Sequence, residues 1–540
     1  MKTSGNRSLF GLALTLATAI AQSATPTEAP RPKLIVMVVV DQYSADLFNE
    51  YRPLYKEGLK QLATGVVFPR GHQSHAATET CPGHSTILTG ARPARTGIIA
   101  NEWQTPKQAY EANGQTTHEV YCAKDPATQA VTPKYLKVST LGDRMHAANS
   151  KAKIAAVAGK DRAATMLAGH DTDTMTLWWN GKKFETYANA RLPKGIDAVN
   201  AAAEKSMRTD VPVDMHAACR SRANAVTFES GVQIGVETSE ENYSAWRASS
   251  AFDAAVLDAA LLVLDEEELG RGEQTDLLAI GFSATDYVGH RYGAGGIEMC
   301  TQQMRLDALI GRLVDRLDHV GVPYVIALTA DHGGVDVPER NKQQGAGQAK
   351  RLELELYPAQ MSKYVAEKLR LKGPAILGNF FTPDIYFSDA IPKNLRARAI
   401  AIARQRYEAS DSVELVMSWE ELNKIPAPTG LVDEWTLQQR ARASFDPERS
   451  GSLVVLTKPF VTPLPPPTKT GRDYIAGHAT PWGYDRRVPI LFWWPGIRGF
   501  EQPIAVESVD IMPTLAGLIG LEIPEGDIDG HALDLSRAEQ

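Results

Sequence analysis

From Leu34 to Val40 the chain is an unbroken aliphatic run, and it stops at Asp41. A run with no polar alternation predicts a strand buried on both faces, as in parallel sheets. The pattern recurs at residues 154–157, ending near Lys160, and at 276–282, leading into Asp286. It returns at 323–329, ending at Asp331, and at 488–494, which follows His478. Between these runs, residues 252–264 and 304–317 place apolar side chains at helical spacing, and 511–519 reads as a short closing helix. Strands alternating with helices predict an α/β fold: a mostly parallel central sheet with helices on both faces. In such folds ligands gather beyond the carboxyl ends of the strands. Polar residues stand at those ends here.

Two stretches break the alternation, at about 168–245 and 336–475. The first holds the turn-like Trp179-Asn-Gly-Lys182, and the second a helical pattern at 394–407 and the Pro-rich segment 462–468. Both read as insertions in one catalytic domain, residues 33–540, forming a cap over the site. At the other end, Lys2 and Arg7 precede an apolar stretch at 9–20 that closes on Ala19-Ile20-Ala21. That is the layout of a secretory signal peptide, residues 1–21, followed by a leader at 22–32. About a dozen apolar residues are too few for a membrane anchor, which needs roughly 20. The expectation is an exported protein, periplasmic or secreted, with no stable membrane anchor.

Composition changes the picture little. The 540 residues are 43% hydrophobic and 22% charged, with a net charge of -7. That balance lacks the basic footprint of a nucleic-acid binder. Four cysteines, Cys81, Cys122, Cys219 and Cys300, include no Cys-x-x-Cys pair. In an oxidising compartment they predict one or two disulfides, with three pairings open.

Candidate chemistry lies in five clusters: Asp41; Thr80 in Thr78-Glu-Thr-Cys-Pro-Gly-His84; Asp286 and His290 in an Asp-x-x-x-His spacing; Asp331-His332 before two glycines; and His478 after Gly477. Carboxylates and imidazoles in this mixture suit zinc. Six such ligands and a hydroxyl serve two ions, which together can stabilise the attacking and leaving oxygens of an in-line displacement.

The order Asp, Thr, Asp-x-x-x-His, Asp-His-Gly, His resembles the alkaline phosphatase superfamily, and within it the bacterial threonine-nucleophile alkaline phosphatases of the PafA and PhoK type. The resemblance spans residues 33–535. It implies two zinc ions per chain, one held by Asp41, Thr80, Asp331 and His332, the other by Asp286, His290 and His478. It makes Thr80 the nucleophile and places Asn101, Lys160 and Arg162 on the substrate phosphate. The activity implied is hydrolysis of small phosphomonoesters to an alcohol and inorganic phosphate through a phosphothreonine, in a monomer. The alternative is a phosphodiesterase or nucleotide pyrophosphatase of the same superfamily. Glu79 reads as solvated or structural and His84 as a buttress of the nucleophile turn, while His72, His75 and His531 read as structural or surface residues. Cys81-Pro-Gly-His84 lacks the Cys-x-Pro-x-Arg pattern of sulfatases, which excludes that chemistry.

Overall fold

The computed structural model describes residues 1–2, 31–112, 115–171, 174–208, 211–212, 216–236, 239–240, 242–470 and 473–536. Nearly all of the signal peptide and of the leader expected from sequence lies outside these residues. Among the described residues no helix is long and apolar enough to cross a membrane.

The main sheet contains β1 (Leu34–Val40), β2 (Val66–His72), β3 (Ile154–Ala158), β4 (Met175–Trp179), β5 (Phe184–Glu185), β6 (Asp276–Phe282), β7 (Tyr324–Thr329), β8 (Arg487–Trp493), β9 (Phe500–Glu501) and β10 (Val506–Glu507). They lie in the order β9-β2-β8-β7-β1-β6-β3-β4-β5, with β10 also on β2. From β7 to β4 every pairing is parallel. Alternate residues of β1 enter two different cores. Leu34, Val36, Val38 and Val40 pack on one face, and Ile35, Met37 and Val39 on the other. Helices α3 (Ser250–Glu266) and α5 (Ile297–Val320) cover the first face. Helices α1 (Thr80–Thr89), α2 (Asp161–Ala168) and α6 (Ile511–Leu518) cover the second. Two covered faces explain why the run carries no polar alternation.

Three features depart from the sequence reading. Strand β8 runs antiparallel to β7. The segment between them leaves and returns at the same edge, because Val335 N–H bonds Gly477 O and Gly333 N–H bonds Asp485 O. The next strand must therefore run back. Strand β2 went unread because Pro69 interrupts it; the register with β8 shifts between Phe68 and Gly71, and that irregularity accommodates the proline. Finally, β4 and β5 lie inside the first stretch read as an insertion, yet they complete the main sheet through a hairpin at Asn180-Gly181, whose glycine has φ +100°. An insertion there starts after β5, not at 168.

The stretch at 336–475 builds a second, antiparallel sheet from Ile376–Leu377, Asp384–Phe387, Leu453–Thr457 and Val413–Ser418. Its own core joins Met361, Val365, Phe387, Ala403, Tyr407 and Val455. Two disulfides are present, Cys81–Cys122 and Cys219–Cys300.

Candidate active site

Every ionisable residue singled out as a ligand sits just past a strand of the main sheet, on a helix that follows one, or on the loop that enters β8. Asp41 follows β1, and Asp331 and His332 follow β7. Asp286 and His290 lie one turn apart on helix α4 (Ala284–Tyr292), which follows β6. The start of α4 lacks a cap from its own Ser283 side chain. Asp253 of α3 supplies one instead, accepting the Ser283 and Ala284 N–H groups at 2.9 Å each. Its burial, partly offset by those bonds, raises the Asp253 carboxyl to about 7. Backbone at the site is unusual as well. Gln42 and Ala479, each next to a candidate ligand, have φ of 61° and 76°, the left-handed region that non-glycine residues seldom adopt.

These side chains converge. Asp286, His332 and His478 bring ligand atoms within 4.8 Å of one another, as do Asp41, His84 and Asp331. His290 Nε2 is 3.3 Å from Asp286 Oδ1, and the His332 and His478 rings stack with centroids 3.7 Å apart. The Nδ1 of each histidine is tied to a backbone carbonyl: His290 to Ala476 O at 2.8 Å, His332 to Gly333 O at 2.8 Å, and His478 to Thr78 O at 2.7 Å. That arrangement fixes the ring and leaves Nε2 as the ligand atom. Asp331 is oriented in the same way, its Oδ1 accepting the Gln42 and His332 N–H groups. The atoms turned inward, Asp41 Oδ1, Asp286 Oδ1, Asp331 Oδ2 and His332 Nε2, are buried with no hydrogen-bond partner. Buried polar atoms ordinarily find one. A donor set of imidazoles and carboxylates whose inward atoms lack hydrogen-bond partners fits bound metal.

Charge follows the geometry. Burial acts against the Asp286 carboxylate, but facing His290 and Lys160 hold it well below the usual range. Burial pushes Asp41 up, only partly offset by Lys160. Burial also lowers His332, to about 4, and His478 well below the ordinary imidazole value, so both are neutral donors. Lys160 Nζ stands 2.7 Å from Asp41 Oδ2 and 2.6 Å from Asp286 Oδ2, joining the two groups.

Thr80 is the first residue of α1, and the helix is pressed against Asp331. A Cβ on Gly83 would lie 2.1 Å from Asp331 O, so only glycine permits this approach. Arg162 Nη2 is 3.5 Å from Thr80 Oγ1, and its Nη1 donates to the Tyr121 hydroxyl at 3.3 Å. Asn101 Oδ1 accepts the Cys81 N–H at 2.8 Å, which leaves its Nδ2 to donate. The structure thus brings all ten residues singled out from the sequence to one end of the sheet.

Residues 35–473 match the family described as type I phosphodiesterase / nucleotide pyrophosphatase. The chain belongs to that family. Over 522 residues it is 43% identical to alkaline phosphatase PhoD of Zymomonas mobilis subsp. mobilis, covering 94% of this chain and 88% of the relative. Over 533 residues it is 43% identical to alkaline phosphatase PhoK of a Sphingomonas species, covering 95% and 92%. The crystal structure of alkaline phosphatase PafA shares the fold, with a TM-score of 0.76 at 24% identity over 94% of this chain and 99% of that one. Within the type I phosphodiesterase family the chain is therefore an enzyme of the PafA/PhoK alkaline phosphatase type.

Four residues near this family member's site carry more than their sequence reading. Glu79 is buried, not solvated; its carboxylate accepts the Asn101 N–H at 2.6 Å, and burial raises it to about 7. His84 reaches beyond the Thr80 turn, its Nδ1 2.9 Å from Thr80 O and 3.3 Å from Asp331 Oδ2, its Nε2 3.4 Å from Asp41 Oδ1. The one-turn spacing between Thr80 and His84 was a signal for that shared face. Asp253 and Tyr121 gave none, because their partners are distant in sequence.

Proposed function

We propose that this chain hydrolyses phosphomonoesters with two zinc ions, through a phosphothreonine on Thr80. One observation carries the reading. The threonine hydroxyl that begins α1 has a guanidinium at 3.5 Å and stands beside a cluster of buried carboxylate and imidazole atoms without hydrogen-bond partners. Asp41, Asp331 and His332 with Thr80 would hold one ion, and Asp286, His290 and His478 the other; His332 also lies within reach of the second set. When bound, zinc supplies positive charge to the phosphoryl oxygens and lowers the pKa of a coordinated hydroxyl or water.

The chain's own residues do the rest. Thr80 Oγ1 forms a bond to phosphorus as the bond to the alcohol oxygen breaks, and water then attacks phosphorus and returns the Thr80 hydroxyl with inorganic phosphate. Splitting the displacement in two is the gain from a covalent nucleophile. Arg162 and the Asn101 amide bind the equatorial oxygens, and Lys160 reaches one of them from between Asp41 and Asp286. Phosphoryl transfer depends mainly on such positioning and charge neutralisation. Two cationic side chains in addition to metal favour the dianionic monoester over the monoanionic diester. The two disulfides suit the oxidising compartment that export provides.

Metal analysis, turnover of phenyl phosphate and of its bis-phenyl ester, and mass spectrometry of acid-quenched enzyme test the reading together. The expected result is two zinc ions, a strong preference for the monoester and phosphate on the Thr80 peptide. Thr80→Ala is expected to keep its zinc and lose most turnover. A better diester substrate overturns the monoester assignment, and full activity in Thr80→Ala overturns the nucleophile.

A further inference from the structure

Arg247 has no carboxylate in direct ion-pair contact, and the nearby Asp473 acts on it only at longer range. Arg247 ends the short helix Tyr243–Arg247, and among the described residues no acidic side chain forms an ion pair with it. Its Nε is buried with no hydrogen-bond partner. The guanidinium rests instead on aromatic faces, its Cζ 4.1 Å from the Tyr287 ring centroid and 5.4 Å from that of Tyr243. Tyr287 follows Asp286 on α4, and the same ring carries Lys160 Nζ at 4.9 Å. The two cations are therefore no more than about 9 Å apart, with one ring touching both.

A second aromatic extends this wall. Tyr474, 46% exposed, packs on His290 with ring centroids 4.6 Å apart. The two segments are pinned together by Asp473, which accepts from Ser244 Oγ at 2.7 Å and pairs with Arg291 of α4. The helix bearing Arg247 and the loop bearing Tyr474 thus form one surface over the Asp286 and His290 side of the site. Thr80 and Arg162 lie towards the other metal group. In an in-line displacement the leaving group departs opposite the nucleophile, so this surface faces the alcohol portion of the substrate.

We propose that Arg247, with Tyr287 and Tyr474, forms a leaving-group subsite for phosphomonoesters whose alcohol carries a second anion, a further phosphate or a carboxylate. The inference rests on the phosphatase reading above and names the substrate class of the same site. Gathering two cations, Lys160 and Arg247, on one ring is costly unless anions answer them. Asp41 and Asp286 answer Lys160; Asp473 is already paired with Arg291, so the distal anion supplies the direct partner that Arg247 lacks. A planar guanidinium held flat on a ring keeps its edge for bidentate binding of carboxylate or phosphate.

The test uses the zinc-loaded full-length enzyme and three aryl phosphates of matched leaving-group acidity, bearing a neutral carboxamide, a carboxylate or a second phosphate. Wild type is expected to favour the two anionic substrates through lower KM. Arg247→Ala should lose at least about tenfold in kcat/KM on those two, mostly in KM, and less than about threefold on the neutral one. Arg247→Lys should recover part of the preference, and guards against a misfolded alanine variant. Loss confined to the phosphate-bearing substrate narrows the subsite to phosphate; loss confined to the carboxylate narrows it to carboxylate. Equal losses on all three, or no anion preference in wild type, overturn the subsite while leaving the phosphatase reading intact. Failure of wild type to turn over the neutral substrate overturns that reading instead.

Discussion

Cys81, the residue after Thr80, is disulfide-bonded to Cys122, the residue after Tyr121. The bridge ties the start of α1 to the end of the short strand Glu119–Tyr121, whose Tyr121 bonds Arg162. Cys122 N–H also bonds Asn101 O, and Asn101 in turn bonds both Glu79 and Cys81. Thr80 and Asn101 are thereby held in one covalent frame, which packs against Tyr386 of the second sheet.

Removing that frame should lower both stability and turnover. The bridge spans 41 residues, and loss of a native disulfide typically costs roughly 2–5 kcal/mol. The double variant Cys81→Ser/Cys122→Ser is expected to melt earlier, and to hydrolyse phenyl phosphate more slowly even well below its Tm. Unchanged kcat in the folded variant would show that the bridge serves stability alone.

Tyr121 links Arg162 to the frame. Its hydroxyl donates to Asp161 Oδ1 at 2.6 Å and accepts from Arg162 Nη1 at 3.3 Å. Tyr121→Phe should leave folding intact yet reduce kcat/KM for phenyl phosphate by about tenfold or more, the worth of one charge-assisted hydrogen bond. Arg162→Ala should cost more, and should harm the monoester more than the bis-phenyl ester. Steady-state kinetics on both substrates decides, and equal losses on the two esters count against a role for Arg162 in binding the dianion.

Gly83 sets the distance between α1 and Asp331. In Gly83→Ala the new methyl meets the Asp331 carbonyl at 2.1 Å, a backbone contact that no rotamer relieves. Overpacking of this kind costs about 1–3 kcal/mol. The displacement should also part Thr80 from Asp331, and the variant is expected to lose zinc affinity together with most activity. Wild-type zinc content and turnover in Gly83→Ala would show that the helix need not sit so close.

Asp485 supplies a pH dependence outside the metal cluster. Burial, only partly offset by hydrogen bonds from Thr480, raises its carboxyl from 3.8 to about 8. Between those values the folded chain keeps a proton that the unfolded chain releases. Bound protons are then more numerous in the native state, so stability falls as pH rises from about 4 to about 8 and levels off above. Asp485→Asn keeps an acceptor for the Thr480 N–H, bonded at 3.0 Å, without the titration. Its Tm relative to wild type should be higher at pH 9 than at pH 5. A Tm difference that does not change with pH would place the proton elsewhere.

Much of the site was legible because each ligand closes a recognisable local pattern. Asp41 and Asp331 end apolar runs, and Asp286 and His290 share a helical turn. What stayed hidden are contacts between segments far apart in the chain. Asp253 caps α4 from α3, about thirty residues earlier in the sequence, and Asp473 joins a helix near residue 244 to Arg291. No periodicity encodes such pairings. Pro69 hid β2 for a different reason, since a proline argues against a central strand unless a register shift hosts it.

By itself the sequence determined the kind of sheet, the residues that end its strands, and which carboxylates, imidazoles and cations stand at those ends, because strand burial and side-chain chemistry are local properties. Only the tertiary structure decided that β8 runs backwards, which cysteines pair, that His84 joins Asp41 and Asp331, and that Arg247 rests on the Tyr287 ring. Those outcomes depend on which distant segments the closed chain brings into contact, and such contacts arise only when the whole core packs at once.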